Sequence, residues 1–436
     1  MNKKQIFKTL IFLALPAMVE EILSTLLLYV DTAMVGHLGE KATAAVSCTT
    51  TVTWLVSCVP YAVSAAFLAL ISRACGAGDK DECRKLSGQA FSLSIISGIV
   101  MTIVCCMLSS YIPVWMHAES NIISDASAYF FIVSLSFVFR TLNRAYGGAL
   151  RAVKDTKTPM IINIAGNIIN LLLNSLFMYV LRMGVRGAAL GTAISYTITG
   201  VAMLVASRRH ELLKFTRKDI KLQIDCVKAC LDIGIPAMMT SVASCFGYVV
   251  FASMVSGMGT TVFAAHSIAV TAEQMFYIPG YGLRTATSTL VGNSIGEGDN
   301  KKRTIIEIQS IIVTVLMMTI TGLILYFTAL PLMRIFTPVE DVAVLGSKML
   351  MLVAFTEPLY GLMIVVEGIF YGAGETKPVF VIETFSMWGI RILLTYFVTS
   401  VWHLALREVW YCMIADNIFK ALALFVVYLT IKRKTK

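Results

Sequence analysis

The chain has 436 residues, of which 57% are hydrophobic and 14% charged, and its mean hydropathy is +0.77. Soluble globular proteins are about 45–50% apolar and about 25% charged. The composition therefore excludes a soluble or disordered chain and indicates an integral membrane protein. The formal net charge is +10. Ten cysteines form no CxxC pair and mostly fall in apolar runs, which indicates neither a zinc site nor a disulfide framework.

Twelve apolar runs have the length of a membrane-spanning helix, which needs about 20 residues. The first run follows a basic N-terminal segment, is too long for a signal sequence and lacks a small-residue cleavage site, so we interpret it as a membrane helix. Numbered 1 to 12, the predicted spans lie at about 9–34, 43–71, 88–113, 127–149, 158–181, 187–207, 228–256, 262–291, 305–329, 348–370, 378–400 and 409–431.

Lysine and arginine are concentrated in alternate loops. With the N-terminus inside, the inner segments hold 25 of these residues and the outer loops hold six. This asymmetry predicts that both termini face the cytoplasm, here of a bacterial inner membrane, and nucleic acid is not an expected partner. A long basic loop at 208–227 predicts a linker between an N-lobe at 1–207 and a C-lobe at 228–436.

The two halves are copies displaced by 220 residues. Leu15–Met18 aligns with Ile235–Met238, and Gly76–Asp79 aligns with Gly296–Asp299, without a gap between them. Because six spans separate the copies, both enter the membrane in the same direction. The predicted fold class is all-α integral membrane, with twelve transmembrane helices in two six-helix lobes related by an axis along the membrane normal. Transporters use such repeats for alternating access, and a duplicated scaffold without transport is the alternative.

Asp31 lies in an apolar stretch towards the outer end of span 1, and its repeat counterpart is Phe251. An acidic residue in lipid is costly and marks a functional candidate. Burial disfavours the charged form of a carboxylate, so Asp31 can take up a proton or hold a sodium ion among neutral oxygens. The alternative is an interfacial aspartate near the membrane surface that caps a helix.

Span 5 carries Asn163, Asn167, Asn170 and Asn174 at spacings of 4, 3 and 4, which places all four on one helical face. Amides that face lipid are costly, so this stripe should face other helices or a cavity. Interhelical hydrogen bonds and a polar substrate pathway both explain the pattern.

Other ionisable residues also lie within predicted spans. Glu273 in span 8 and Glu357 in span 10 are secondary candidates for transport. Pro16 and Pro236 should kink spans 1 and 7, and a kink can be structural or act as a hinge. The remaining residues, some of which we expect to pair with one another, are Glu20, Glu21, Glu367, Glu383, Asp416, Arg140, Arg144, Arg284 and Arg391.

Sequence motifs of common enzyme classes are absent. The chain has no GxxxxGK[ST], HExxH or GxSxG pattern, so we expect neither ATP as the direct driver nor an enzyme. We expect small-molecule substrates, surrounding membrane lipid, a functional monomer, no cofactor, and no metal beyond a possible sodium ion at Asp31.

Several segments together resemble the multidrug and toxic compound extrusion (MATE) family. The resemblance covers nearly the whole chain and implies two six-helix lobes with a central cavity. It also implies export of mostly organic cations in exchange for protons or sodium ions. The segments that carry it are Pro16, Val30-Asp31 with Gly36 and Gly39, Ala264–His266, Gly282 with Val291, Gly292 and Gly296, and Gly148–Pro159.

The resemblance also implies site residues. Asp31 matches the family aspartate of span 1, a cation and proton site, and Pro16 matches the proline at which that helix bends in some members. The DinF-like branch adds an Asn and an Asp four apart on span 5. Asn170 and Asn174 occupy those positions here, so an amide replaces the second acid. Two further residues that match this site are Thr192 on span 6 and Asn143 on span 4.

The NorM branch instead uses a Glu on span 7 and an Asp on span 10. Span 7 here has only Asp232, and span 10 has Glu357, with Tyr360 nearer the aligned position. The resemblance therefore favours a DinF-like efflux mechanism in which a proton or sodium ion neutralises Asp31. The alternative function is a lipid-linked precursor flippase of the same superfamily, which should have a strongly cationic cavity.

Overall fold

A computed structural model describes residues 3–434 as helices joined by short loops, with no strand in that range. Helices satisfy their own backbone polar groups, as a lipid environment requires. Residues 1, 2, 435 and 436, which belong to the predicted basic termini, lie outside the described residues. The helices are α1 (Lys3–Gly36), α2 (Glu40–Gly76), α3 (Lys80–Leu108), α4 (Ile112–Trp115), α5 (Ile123–Ser134), α6 (Phe137–Ala152), α7 (Lys157–Asn174), α8 (Gly184–Arg209), α9 (Ile224–Ser256), α10 (Thr260–Gly296), α11 (Asn300–Phe336), α12 (Glu340–Ala354), α13 (Glu357–Ala373), α14 (Thr376–Ser386), α15 (Leu393–Tyr396) and α16 (Leu406–Lys434).

Most predicted spans correspond to one helix. Within residues 3–434, nine helical segments are long and apolar enough to cross a membrane. Predicted spans 127–149 and 348–370 are instead bent pairs, in which α5 meets α6 at 47° and α12 meets α13 at 59°. If each bent pair counts as one span, this part of the chain has up to eleven. The protein is therefore an all-helical, multi-pass membrane protein.

The remaining predicted span, 262–291, falls within α10, a continuous helix of 37 residues. At about 1.5 Å per residue its length is sufficient, since the apolar core of a bilayer is about 30 Å thick. Polar residues along α10, among them His266, Glu273 and Arg284, interrupt its apolar stretches, and it is not among the nine segments. A twelfth span at α10 therefore stays a prediction.

The chain forms two compact units. The N-terminal unit comprises Val19–Met238 and Gly292–Asp299, and the C-terminal unit comprises the chain up to Met18, Met239–Val291 and the chain from Asn300 onwards. Each unit has its own apolar core. The predicted division into lobes at 1–207 and 228–436, joined by a linker at 208–227, stays a prediction.

Helices α1 and α9 each contribute to both units. They change from one unit to the other after Met18 and after Met238, which are repeat counterparts. Both helices continue through their internal prolines, Pro16 and Pro236. Neither proline ends its helix, and the role of Pro16 as a hinge stays a prediction.

Residues 210–223 pack against α3 in the N-terminal unit. Leu213 and Phe215 are buried in the core of that unit. Three side chains of α3 bond the backbone of this segment: Ser87 Oγ donates to Leu213 O at 2.9 Å, Gln89 Nε2 donates to Asp219 O at 2.7 Å, and Ser92 Oγ donates to Ile220 O at 2.5 Å. The segment therefore covers one end of α3.

Two glycines let α2 and α10 approach closely within the N-terminal unit. A Cβ added to Gly76 would overlap the carbonyl oxygen of Asn293, and a Cβ added to Gly296 would overlap the carbonyl oxygen of Arg73. Gly76 and Gly296 are repeat counterparts, as are Arg73 and Asn293. The contact is therefore reciprocal, and each copy of the repeat supplies one glycine.

We expect Gly76→Ala to lower the free energy of unfolding by about 1–3 kcal/mol, because two backbones must separate to admit the methyl group. Thermal unfolding in detergent measures the change. Gly36→Ala is the control, since a Cβ at Gly36 meets nothing within 4 Å. Equal unfolding midpoints for the two variants would contradict this interpretation of the contact.

Candidate functional site

The asparagine stripe of α7 pairs with polar residues of α1. Asn163 Nδ2 donates to Glu20 Oε1 at 2.6 Å, and Asn167 Nδ2 donates to Ser24 Oγ at 3.1 Å. Asn174 Nδ2 donates to Asp31 Oδ1. Each pair is separated by 143 residues along the chain, so the two helices run parallel and in register. The stripe thus faces α1 and forms interhelical hydrogen bonds, one of the two interpretations of the pattern.

Four predicted site residues meet at one end of this pairing. Asn174 is fully buried and bonds the half-buried Asp31. Asn174 Nδ2 also lies 3.4 Å from Asn170 Oδ1, and Asn170 Nδ2 donates to Thr192 Oγ1 at 3.3 Å. We call Asp31, Asn170, Asn174 and Thr192 the Asp31 cluster. It contains one carboxylate surrounded by neutral polar groups.

The backbone around Asn174 is shaped to hold this side chain. A Cβ added to Gly191 of α8 would overlap Asn174 Oδ1, so only glycine leaves room for the amide. Directly after Asn174 the helix continues as a π-helical segment, Ser175–Val180. Such segments are rare and frequently occur at functional sites.

Asn143, the fifth predicted site residue, belongs to a different cluster. Its Nδ2 donates to Asn163 Oδ1 at 3.0 Å, and Asn163 in turn bonds Glu20. Asn163 lies eleven residues before Asn174 on α7, which is about 16 Å along a helix. Asn143 therefore does not contact the Asp31 cluster, because its place on α6 faces the opposite end of the stripe.

Glu20 forms an ion pair that sequence analysis did not identify. Arg151 Nη2 lies 2.6 Å from Glu20 Oε1, and the side chains are only 15% and 8% exposed. Arg151 belongs to the Gly148–Pro159 segment. In the structure it lies on the last turn of α6 and neutralises Glu20 of α1, the residue that the first asparagine of the stripe bonds.

Asp31, unlike Glu20, has no basic partner among the described residues. It forms no ion pair in that part of the chain, and its side chain accepts a hydrogen bond from the neutral amide of Asn174. A carboxylate in this setting can be neutralised by a proton or by a bound cation. Asp31, Asn170 Oδ1 and Thr192 Oγ1 are oxygen donors suited to sodium. The arrangement can therefore bind a single positive charge.

The C-terminal unit holds the two secondary candidates. Glu273 on α10 and Glu357 on α13 are both buried, and no described residue forms an ion pair with either. The Tyr281 and Tyr360 hydroxyls lie 3.3 Å apart, and the Tyr277 and Tyr360 rings have centroids 5.0 Å apart. Both carboxylates are thus buried in the C-terminal unit. Their part in transport stays a prediction.

The expected pairing of other membrane charges is confirmed in this unit. Asp416 Oδ2 lies 2.8 Å from Arg391 Nε and 3.1 Å from Lys420 Nζ. Glu367 Oε2 lies 3.0 Å from Arg284 Nη1. These acids are neutralised by neighbouring bases, as structural charges in a membrane must be.

The repeat counterpart of Asp31 has a different environment. Phe251 packs edge-on against His266, with ring centroids 5.5 Å apart, and His266 contacts Trp410 in the same way at 5.8 Å. The Arg391 guanidinium lies 5.6 Å from the Phe251 ring centroid. The carboxylate–amide pair of one repeat is thus replaced by an aromatic and cationic cluster in the other.

The fold and the charges inside its helices define a class, that of duplicated helical membrane proteins with ionisable groups in their spans. The family model MatE matches residues 16–176 and 236–397. The chain therefore belongs to the MatE family. The two matched segments begin 220 residues apart, which agrees with the internal repeat.

Curated relatives and solved structures extend this assignment. The chain is 28% identical over 431 residues to a "Probable multidrug resistance protein NorM" of Thermotoga maritima, covering 98% of this chain and 93% of the relative. It is 23% identical to "Probable multidrug resistance protein YoeA" of Bacillus subtilis, covering 94% and 90%. The fold matches the outward-facing structure of a multidrug resistance MATE transporter with a TM-score of 0.93 at 21% identity, covering 99% and 97% of the two chains.

We expect Arg151→Gln to lower the free energy of unfolding by about 3–5 kcal/mol, because it leaves Glu20 buried without its charge partner. Adding Glu20→Gln should restore much of this loss, since the second change removes the unpaired charge. Thermal unfolding of both single variants and the double variant measures the coupling.

The exposed pair of Lys80 and Glu211, 2.9 Å apart, serves as the control for this cycle. Lys80→Gln should leave stability nearly unchanged because water screens both groups. If the double variant is as unstable as the sum of the two singles, Glu20 and Arg151 are not energetically coupled.

Proposed function

We propose that the protein is a secondary active multidrug exporter. It exports organic cations or other amphipathic compounds in exchange for protons or sodium ions, by alternating access. The observation that carries the proposal is the Asp31 carboxylate, held by Asn174 within a membrane helix and without an ion pair among the described residues. The names of the curated relatives, which are multidrug resistance proteins, support export as the direction.

The proposed exchange follows from competition for one carboxylate. An ionised Asp31 attracts a cationic substrate, and a proton or sodium ion that enters from outside neutralises it. The substrate then loses its electrostatic attraction and leaves. Because one monovalent cation enters for each one that leaves, no net charge crosses the membrane, and the concentration gradient of the coupling ion supplies the driving force.

The amide at position 174 limits the charge of the site. Where the DinF-like branch is expected to have two acids, this cluster has Asp31 and Asn174, and so one negative charge at most. We propose that one monovalent ion exchanges for one monovalent substrate in each cycle. The presence of Asp31, and the lack of a glutamate on α9, support a DinF-like mechanism, although the Thermotoga maritima relative carries the name NorM.

The remaining architecture is part of the same proposal. We propose twelve spans in two six-helix lobes, with α10 as the twelfth, and both termini in the cytoplasm of a bacterial inner membrane. The protein is proposed to act as a monomer, with Pro16 as a hinge of α1. The flippase alternative has no supporting observation among the relatives, whose names refer to multidrug resistance.

We expect Asp31→Asn to abolish ion-driven efflux of a fluorescent organic cation from proteoliposomes, because an amide cannot take up a proton or attract the substrate. Efflux is measured under an imposed proton gradient and then under a sodium gradient, and the gradient that drives wild-type efflux identifies the coupling ion. Asp341→Asn, at an exposed position on α12, is the matched control.

Three results bear on this test. Loss of efflux in Asp31→Asn alone, with wild-type folding, supports the proposal. Undiminished efflux in this variant would refute coupling at Asp31 and direct attention to Glu273 or Glu357. An absence of flux in the wild-type protein under either gradient would refute antiport of that cation.

We expect Gly191→Ala to weaken binding of the same cation about tenfold or more, the effect of losing a hydrogen bond to a charged group. The added Cβ displaces Asn174, which then releases Asp31. Gly147→Ala is the control because the nearest heavy atom to its Cβ is 3.5 Å away. Fluorescence titration measures both, and equal affinities would show that Asn174 does not position Asp31.

A further inference from the structure

The C-terminal unit has a cluster of charged residues where α11 begins and α16 ends. Glu307 is only 2% exposed. Its carboxylate lies 2.8 Å from Arg303 Nε and 3.0 Å from Lys432 Nζ, and it accepts a hydrogen bond from the Tyr428 hydroxyl at 2.8 Å. We call these four residues the Glu307 cluster. One buried carboxylate thus holds two cations at fixed positions, with a net positive charge.

A pocket and a groove adjoin this cluster. The pocket, of about 60 Å³, is lined by the cluster together with Glu375 and the apolar residues Ile369, Phe370 and Ala373, among others. The groove, of about 430 Å³, shares Tyr428 and Lys432 with the pocket. Its other lining residues are Ile308, Ile311, Ile312, Phe425, Leu429 and Arg433. The charged residues of the pocket therefore lie at one end of an apolar groove.

The groove has the exposure of a surface that faces lipid. Ile312 is 52% exposed and Ile308 is 47% exposed, on a helix that is apolar enough to span the membrane. Five basic residues lie in the runs Lys301–Arg303 and Lys432–Arg433, against the two carboxylates of the pocket, Glu307 and Glu375. The site thus combines an apolar groove with an excess of positive charge.

The other repeat shows what occupies the equivalent place. Counterparts of the pocket residues Arg303 and Phe370 are Cys83 and Leu150, which pack in one core with the buried Leu213 of the segment 210–223. In the N-terminal unit, the segment 210–223 therefore packs against these two residues. Among the described residues of the C-terminal unit, Arg303 and Phe370 instead line the pocket.

Two of the three groups that bond the backbone in the N-terminal unit are changed in the C-terminal unit. The third is retained, since Gln309, the counterpart of Gln89, donates to Lys3 O at 2.9 Å. Ser87 donates to Leu213 O, and Ser92 donates to Ile220 O. Their counterparts are Glu307, which is already bonded within its cluster, and Ile312, which cannot donate. The C-terminal site has thus lost two donors for a peptide backbone and gained cations and an apolar wall.

We propose that this site binds an anionic phospholipid of the membrane. The lipid phosphate contacts Arg303, Lys432 and Arg433, and one acyl chain lies along the groove between α11 and α16. Basic pockets between membrane helices favour anionic head groups, and apolar side chains favour the acyl chain. Glu307 is a positioning residue that holds the two cations. This inference does not depend on the proposed efflux activity.

The test measures which lipids the purified full-length protein retains. Native mass spectrometry of protein in micelles with equimolar phosphatidylglycerol and phosphatidylcholine should show preferential retention of phosphatidylglycerol. The triple variant Arg303→Gln, Glu307→Gln, Lys432→Gln removes the cations without leaving Glu307 unpaired. We expect its retention of phosphatidylglycerol to fall about thirtyfold, since two cations are removed and each cation near a membrane surface contributes about 1 kcal/mol.

Two further variants sharpen the test. Lys218→Gln makes the same net charge change at an exposed position and should retain the lipid as the wild type does. Ile312→Trp keeps every charge and narrows the groove, so it should reduce retention of long-chain phosphatidylglycerol while the Glu307 cluster stays intact.

Three outcomes would overturn the proposal. Equal retention of the two lipids by the wild type would show that the site does not select anionic lipid. Equal losses in the triple variant and in Lys218→Gln would show a general charge effect. Displacement of the lipid by excess inorganic phosphate, with no effect of Ile312→Trp, would identify a site for a small anion.

Discussion

The pairing of α1 with α7 is the interaction on which the candidate site depends. An amide or carboxylate without a partner is costly away from water, so three asparagines that face α1 set the register of the two helices. A shift of one residue would break all three contacts. With this register fixed, Glu20 and Asp31 lie along the same helix pair but differ in their partners. Glu20 is neutralised by Arg151, whereas Asp31 bonds the Asn174 amide and forms no ion pair among the described residues.

Duplication supplied two similar scaffolds that have since diverged in chemistry. The helix packing is retained in both copies, as the reciprocal contact of Gly76 and Gly296 shows. A close helix crossing tolerates no larger side chain at these positions. The polar residues are not retained. Asp31 corresponds to Phe251, and Ser87, which bonds Leu213 O, corresponds to Glu307 in a charged cluster. Backbone packing constrains both copies equally, while each buried charge depends only on its local partners.

Much of the candidate site was predictable because its signals are local. The spacing of the asparagines on span 5 places them on one face, and Asp31 is conspicuous in an apolar run. One predicted site residue is not part of the Asp31 cluster, since Asn143 contacts Asn163 instead. Arg151, the partner of Glu20, was not identified, because 131 residues separate them along the chain and no periodic pattern links them.

The sequence by itself determined the membrane class, the helical character, the repeat and most spans, because hydropathy and periodicity act over about 20 residues. It also determined that carboxylates lie within those spans. Only the tertiary structure decided which carboxylates are neutralised, where two predicted spans bend, and that α1 and α9 each contribute to both units. Ion pairs and helix contacts join residues more than a hundred positions apart, so their free energy depends on packing that no local stretch of sequence encodes.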